Sequence, residues 1–416
     1  MALTKGIKIK AALLLGLALV TLGAEGASFG TRRVLAEPGA ATTPGAATVF
    51  DITNYGAKPD SRTESAMAMI RAWNAACKSS GPAKLVIPNG EFRAGEVVFQ
   101  GPCTAKPLTV EVQGTLLAQT DLSLFTSGFW ISIEHVEGVE ILGSGTINGQ
   151  GEASWKFACA GMDCSGVLPV SLVFQQAKNC TMRDMTVLNG KGFHTKVLES
   201  SDIKLENLTI VAPGDSPNTD GVHISRSQNV RVTNTVIGTG DDCISIGEGN
   251  TNVTITQVTC GPGHGISIGS LGKRPGETDV KGVTVRNCTI NGTTNGARIK
   301  SYHKSPKLLA TGIIFEDIIM ENVKNPIIID QNYGSGKTGG QSNVKISDVH
   351  FTNIRGTSVS KVAVSLSCSS SVPCEDVELA DIDLTFSGLE SKGSFSSLCA
   401  NVKPVFSGVQ NPAACP

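Results

Sequence analysis

Short strand-like segments recur along this chain from about residue 138. "GVEILGSGTI", "NCTMRDMTVL", "DIKLENLTIV", "NVRVTNTVIG", "NVTITQVTCG", "GVTVRNCTIN", "GIIFEDIIME", "NVKISDVHFT" and "DVELADIDLT" share one pattern: a small or polar residue, then alternating aliphatics, often with Asn or Asp at the turn. From Asn179 onward the segments start at residues 179, 202, 229, 252, 282, 312, 343 and 376. The period is thus roughly 23 to 33 residues, the mark of a solenoid in which each repeat buries its apolar face against the next. The leucine and asparagine frame of a leucine-rich repeat is missing. Three short strands per repeat with period-2 patterning, and no helical pattern between them, specify an all-β fold: a single-domain right-handed parallel β-helix. Abundant Gly, 47 residues, and only 5% aromatics fit small aliphatic strands joined by tight turns.

Ahead of the repeats, "PDSRTESAMAMIRAWNAACKSS" has helical spacing through Met69, Ile70, Trp73 and Cys77, with Ser61 and Glu64 offering a capping box. One amphipathic helix before an all-strand body is expected to cover its open end. Residues 1–27 carry Lys5, Lys8 and Lys10, a short apolar run and then small residues, which reads as a secretory signal peptide cleaved near Ala24 to Ala27. An N-terminal membrane anchor is the alternative, but the run is short for a bilayer span and no later segment could cross one. Residues 28–47 read as a flexible leader, which leaves 48–416 as the β-helix domain. The net charge of −1 becomes slightly more negative once the leader lysines are removed. No general attraction for nucleic acid or membranes follows, and an anionic ligand needs a local basic patch. Twelve cysteines and five glycosylation sequons, at Asn179, Asn207, Asn252, Asn287 and Asn291, agree with a secreted, extracellular protein.

Aligning the strand after each turn superposes "TDGVHIS" (219–225), "DDCISIG" (241–247), "GHGISIG" (263–269) and "NGARIKS" (295–301). This register puts Asp220, Asp242, His264 and Asn295 in one column, with Asp241 beside them, and successive coils lie about 4.8 Å apart. Arg298 stacks beyond Ser267, Ser245 and His223, and Lys300 shares the outer face. Any single "NTD" or "GDD" is most often an ordinary Asx turn, and a lone "GHG" a turn histidine. Three carboxylates, an imidazole and two cations on one side of a rod are a different matter. Crowded carboxylates cannot all ionise normally, so at least one is expected to keep its proton. A protonated acid beside ionised ones is what glycosidic cleavage requires, one group protonating the departing oxygen and another activating water. Arg298 and Lys300 suit a substrate bearing carboxylates. The same two cations, with His264, argue against a calcium cage. His223 is a candidate for contacts to sugar hydroxyls. His135, His194, His303 and His350 read as structural or solvent-facing. Lys273 and Arg274 read as a solvated loop, with subsite lining the alternative.

In these motifs, "NTD" (218–220), "GDD" (240–242), "GHG" (263–265) and "RIK" (298–300), the chain resembles polygalacturonases of the glycoside hydrolase 28 family over about residues 48–416. "VFDITNYGAKPDSRTES" resembles plant members, and the overall look is closest to pollen-type exopolygalacturonases. The resemblance implies that Asp241 is the general acid, that Asp220 and Asp242 orient and deprotonate water, and that His264 tunes the acid. It also implies that Arg298, Lys300, Tyr333 and Asn218 meet substrate, that the α-1,4-galacturonan of pectin is hydrolysed with inversion, and that action is from the chain end. No cofactor or metal is implied, and a monomer is expected in the cell wall. Endo action, a calcium-dependent pectate lyase and an inactive pectin-binding β-helix are the alternatives. Gly334 stands where plant relatives commonly have a cysteine.

Cys243 and Cys260 fall on neighbouring coils and can bridge. Cys368 with Cys374 and Cys399 with Cys415 are close enough to staple the C-terminal end, as the resemblance also suggests. Cys77 with Cys103 and Cys159 with Cys164 are further candidate pairs. Cys180 and Cys288, inward-facing four coils apart or about 19 Å at sheet spacing, are expected to be free.

Overall fold

The structure is a computed structural model, which describes residues 45–158, 168–334, 340–389 and 393–415. The expected signal peptide, most of the leader, Cys159 and Cys164 lie outside the described residues. The body is a right-handed parallel β-helix whose coils each contribute a strand to successive columns. One coil runs Thr195–Leu198, Ser201–Glu206 and Thr209–Val211, and the next runs Val222–Ser225, Gln228–Thr233 and Val236–Gly238. From residue 280 onward the second and third columns fuse into long bent strands such as Val280–Asn291 and Leu308–Val323.

The repeat works because alternate residues face inward and the same position recurs in each coil. Met182, Leu205, Val232, Ile255, Val285, Phe315, Phe351 and Leu379 pair in register coil after coil. All are buried, and Phe315 and Phe351 stack with ring centroids 5.5 Å apart. Two residues beyond that column the chain must turn through a left-handed conformation. Asp184, Asn207, Asn234, Gln257, Asn287, Asp317, Asn353 and Asp381 all have φ between 50° and 61° there. Asn and Asp tolerate that conformation and bond to their neighbours in the stack. Asn207 donates to Asp184 at 2.7 Å and Asn234 to Asn207 at 3.3 Å. All five sequon asparagines are exposed, and Asn179, Asn207, Asn252 and Asn287 are themselves left-handed turn residues.

The helix Ala66–Cys77 closes the N-terminal end, burying Met69, Ala72, Trp73 and Ala76. Trp73 stacks on Phe99 at 4.7 Å and donates its Nε1–H to the Gln100 carbonyl. The capping box expected at Ser61 does not form. Ser65 is the N-cap residue and makes no side-chain cap. The Glu64 carboxylate instead accepts from Ala66 N at 3.1 Å and from Gly95 N at 2.9 Å, so the helix entry is tied to the neighbouring chain. Cys77–Cys103, Cys243–Cys260, Cys368–Cys374 and Cys399–Cys415 are bonded, and Cys180 and Cys288 are free and buried, as expected.

Candidate active site

The site lies on the outer face of the eleven-stranded sheet to which Val222–Ser225, Ile244–Ile246, Ile266–Leu271 and Asn295–Tyr302 belong. Val222 pairs with Ile244 and Ile244 with Ile266, which aligns Asp220, Asp242 and His264 two residues earlier. His223, Ser245, Ser267 and Arg298 pair in series, as the sequence register requires. Asn295 stands two residues before Ala297, the partner of Ile266, and so keeps the place that the sequence register gives it. Gly263 bridges Thr293 while Ile266 pairs with Ala297, so the later coil takes one extra residue, and Asn295 accepts from Asn325 at 3.1 Å.

The turn that presents the aspartates is tightly constrained. A Cβ on Gly240 would run into the Ser216 carbonyl, and one on Gly263, at φ +145°, would lie 2.6 Å from the Asp241 carbonyl. Glycine at both places lets neighbouring turns approach closely. The Cys243–Cys260 disulfide pins the segment just after the acids.

The three carboxylates have three environments. Asp242 is buried, its Oδ1 accepting from Ser267 Oγ at 2.9 Å and Arg298 Nη2 at 3.0 Å, its Oδ2 from Lys300 Nζ at 2.7 Å. Burial works against its charge, but Lys300 and Arg298 outweigh it and hold the carboxyl below its ordinary range. Asp220 is buried too, and its hydrogen bond from Ser245 Oγ, 2.6 Å, is not enough. Burial first, then the charges of Asp241 and Asp242, push it well above the ordinary range. Asp241 is more open, 24% exposed, and its Oδ1 lies 3.0 Å from His264 Nδ1, while its carbonyl accepts from His264 N at 2.8 Å. The crowding expected from the sequence therefore separates the two buried carboxyls, Asp220 pushed up and Asp242 held down.

Lys300 also lies 5.1 Å from the centroid of Tyr333, which meets Tyr302 edge-on at 5.2 Å. Tyr302, which the sequence does not single out, pairs with Tyr333 only through a register shift after Lys300. Gly334 has φ +68°, and a Cβ there would meet the Tyr302 ring at 2.8 Å, which accounts for glycine at that position. His303 Nδ1 is 3.4 Å from the Tyr333 carbonyl. His223 bonds Ser245 Oγ at 2.8 Å, and burial keeps it neutral, its pKa lowered to about 3. His194, buried behind Asp220, accepts from Gly190 N and is a structural histidine. His350 bridges Asp348 and Glu378. Asn218, with φ +55°, opens the turn into Asp220.

Asp241, Asp242 and His264 place ligand atoms within 4.8 Å of one another, a spacing compatible with a metal ion. Both oxygens of Asp242 already carry cationic partners, however, and a divalent ion there would face the charges of Arg298 and Lys300.

A parallel β-helix bearing clustered acids in opposite electrostatic environments on an outer face is the arrangement of a carbohydrate-cleaving hydrolase. The sequence matches glycosyl hydrolases family 28 over residues 77–415. It is 46% identical to an exopolygalacturonase of Platanus acerifolia across 88% of this chain and 97% of that one. It is 42% identical to an exopolygalacturonase of Arabidopsis thaliana across 100% and 98%. The fold is similar to that of the exopolygalacturonase of Thermotoga maritima, with a TM-score of 0.73 at 18% identity, covering 86% of this chain and 90% of that one. The chain belongs to glycosyl hydrolases family 28, and its reading as a polygalacturonase, a hydrolase of pectin, stands.

Proposed function

We propose that the protein is an exo-acting, inverting polygalacturonase that releases galacturonic acid from chain ends. Asp241, the most open of the acids, gives its proton to the glycosidic oxygen as the bond to the anomeric carbon breaks. Water attacks that carbon from the opposite face, and the Asp220–Asp242 pair, which carries one proton and one negative charge, orients the water and takes its proton. His264, open to solvent beside Asp241, tunes its protonation as the carboxylate takes a proton back from solvent, while the Asp220–Asp242 pair releases the water proton to solvent. Arg298, Lys300 and Tyr333 meet the sugar carboxylate, and Asn218 shapes the turn.

The observation that carries this reading is the opposite treatment of two neighbouring buried carboxyls, Asp242 clamped by two cations and Asp220 left to its proton. Exo action is supported by the similar exopolygalacturonases of Platanus acerifolia and Arabidopsis thaliana. Four disulfides and exposed sequons support an oxidising, secretory route, with residues 1–27 removed, 28–47 a leader, 48–416 the working domain, and a monomer in the wall. Product analysis on polygalacturonate in EDTA tests the proposal. Galacturonic acid alone is expected from the first time points. Mixed oligomers would reject exo action, and unsaturated ends or loss of activity in EDTA would reject hydrolysis in favour of a lyase.

A further inference from the structure

Lys196, in the strand Thr195–Leu198, lies between the inward-facing Thr195 and Val197, both fully buried, and is itself half-buried on the outer face. It pairs with Val173 on one side and with His223 on the other, and so lies next in the column to His223, Ser245, Ser267 and Arg298. Counting from Ser245, on the coil of Asp242, Lys196 lies two coils in one direction and Arg298 two coils in the other, about 10 Å each way at sheet spacing. The two cations bracket the acids.

Their electrostatic situations differ. Arg298 and Lys300 each already pair with Asp242, whereas Lys196 has no hydrogen bond or ion pair among the described residues. Its neighbour Glu199 is taken by Arg226 at 2.9 Å, and Arg226 also holds Glu248. A second cation adds to the field. Arg274 sits on a loop organised by Glu277, whose carboxylate accepts from the amides of Gly272, Lys273 and Arg274. Lys273 of this loop lies 5.8 Å from the Tyr302 ring centroid, which puts the loop beside the groove at that end, and Arg226 and Arg274 both add like charge against Lys196. A half-buried ammonium facing like charge is unfavourable for the fold alone. An anionic ligand would offset it.

We propose that Lys196, supported by Arg274, binds the carboxylate of the galacturonosyl unit on the opposite side of the scissile bond from the unit met by Arg298 and Lys300. This rests on the polygalacturonase reading and adds a second anion-recognition point to the same groove. The test compares wild type, Lys196→Met and Lys196→Arg on trigalacturonate, with thermal unfolding as a folding control. Lys196→Met is expected to raise KM about tenfold with kcat changed less than about threefold, and Lys196→Arg to restore KM. In an Asp241→Asn background, Lys196→Met should weaken trigalacturonate binding about tenfold and make it less sensitive to salt. Unchanged KM and affinity would overturn the proposal. So would a fall in kcat alone, which would mean that Lys196 acts through His223 and not on a bound carboxylate. If the wild type leaves polygalacturonate intact, the functional reading fails, while the affinity comparison still judges Lys196. Absence of binding in every variant rejects both.

Discussion

Lys300→Met removes the ammonium that lies 2.7 Å from Asp242 Oδ2, and both side chains are almost completely buried. Taking away one partner of a buried pair costs about 3–5 kcal/mol, because the remaining charge has no solvent to turn to. Arg298 at 3.0 Å and Ser267 at 2.9 Å still hold Oδ1, so the loss should sit near the lower end, about 3 kcal/mol. The pH dependence follows from sign. Asp242 is held below its unfolded value of 3.8, so the pair stabilises the fold above that pH and its contribution fades as acid protonates the group. Denaturant unfolding of wild type and variant at neutral pH and near pH 3 measures this directly. The deficit should be large at neutral pH and shrink in acid. Kinetically, kcat should fall by more than KM rises, since Asp242 loses part of what keeps it ionised. A variant within about 0.5 kcal/mol of wild type at neutral pH, with only KM altered, would refute the clamp and return Lys300 to a purely substrate-binding role.

Asp241→Asn should lose about 10²–10⁴-fold in kcat with little change in trigalacturonate affinity, checked by steady-state kinetics and calorimetry. Asp220→Asn should abolish turnover yet stabilise the fold at neutral pH. Its carboxyl is raised on folding, so ionising it costs stability above the unfolded value of 3.8, and the gain should vanish below that pH in the same unfolding assay. Replacing Cys243 and Cys260 with Ser should cost about 3 kcal/mol for a loop of this size, with kcat falling as the aspartate turn loosens.

The stack was legible in the sequence because strand alternation and the turn asparagines repeat in every coil, so aligning segments amounts to stacking them. Equal spacing among Asp220, Asp242 and His264 carried the acid column, and the serines of "CISIG" and "GISIG" carried the line to Arg298. The extra residue that the next coil takes up between Thr293 and Ala297 was not legible, because it has no signature in composition. Which carboxyl keeps its proton was not legible either. That depends on both cations turning onto Asp242, a matter of side-chain direction and depth. Lys196 escaped notice because a lysine in a strand ordinarily reads as solvated, and only the lack of a hydrogen bond or ion pair among the described residues makes it unusual. The helix was found from its apolar spacing, but its cap was misjudged, since Glu64 bonds to Gly95, far off in sequence.

Difference infrared spectroscopy of the carboxyl stretch near neutral pH addresses the central point, that stacked coils force neighbouring acids into opposite protonation states. In an Asp241→Asn background, where the general acid adds no band, the protein should show a protonated carboxylic acid band that disappears when Asp220→Asn is added and survives when Asp242→Asn is added. A spectrum without that band, or one in which the band is lost with Asp242 and kept with Asp220, would contradict the account.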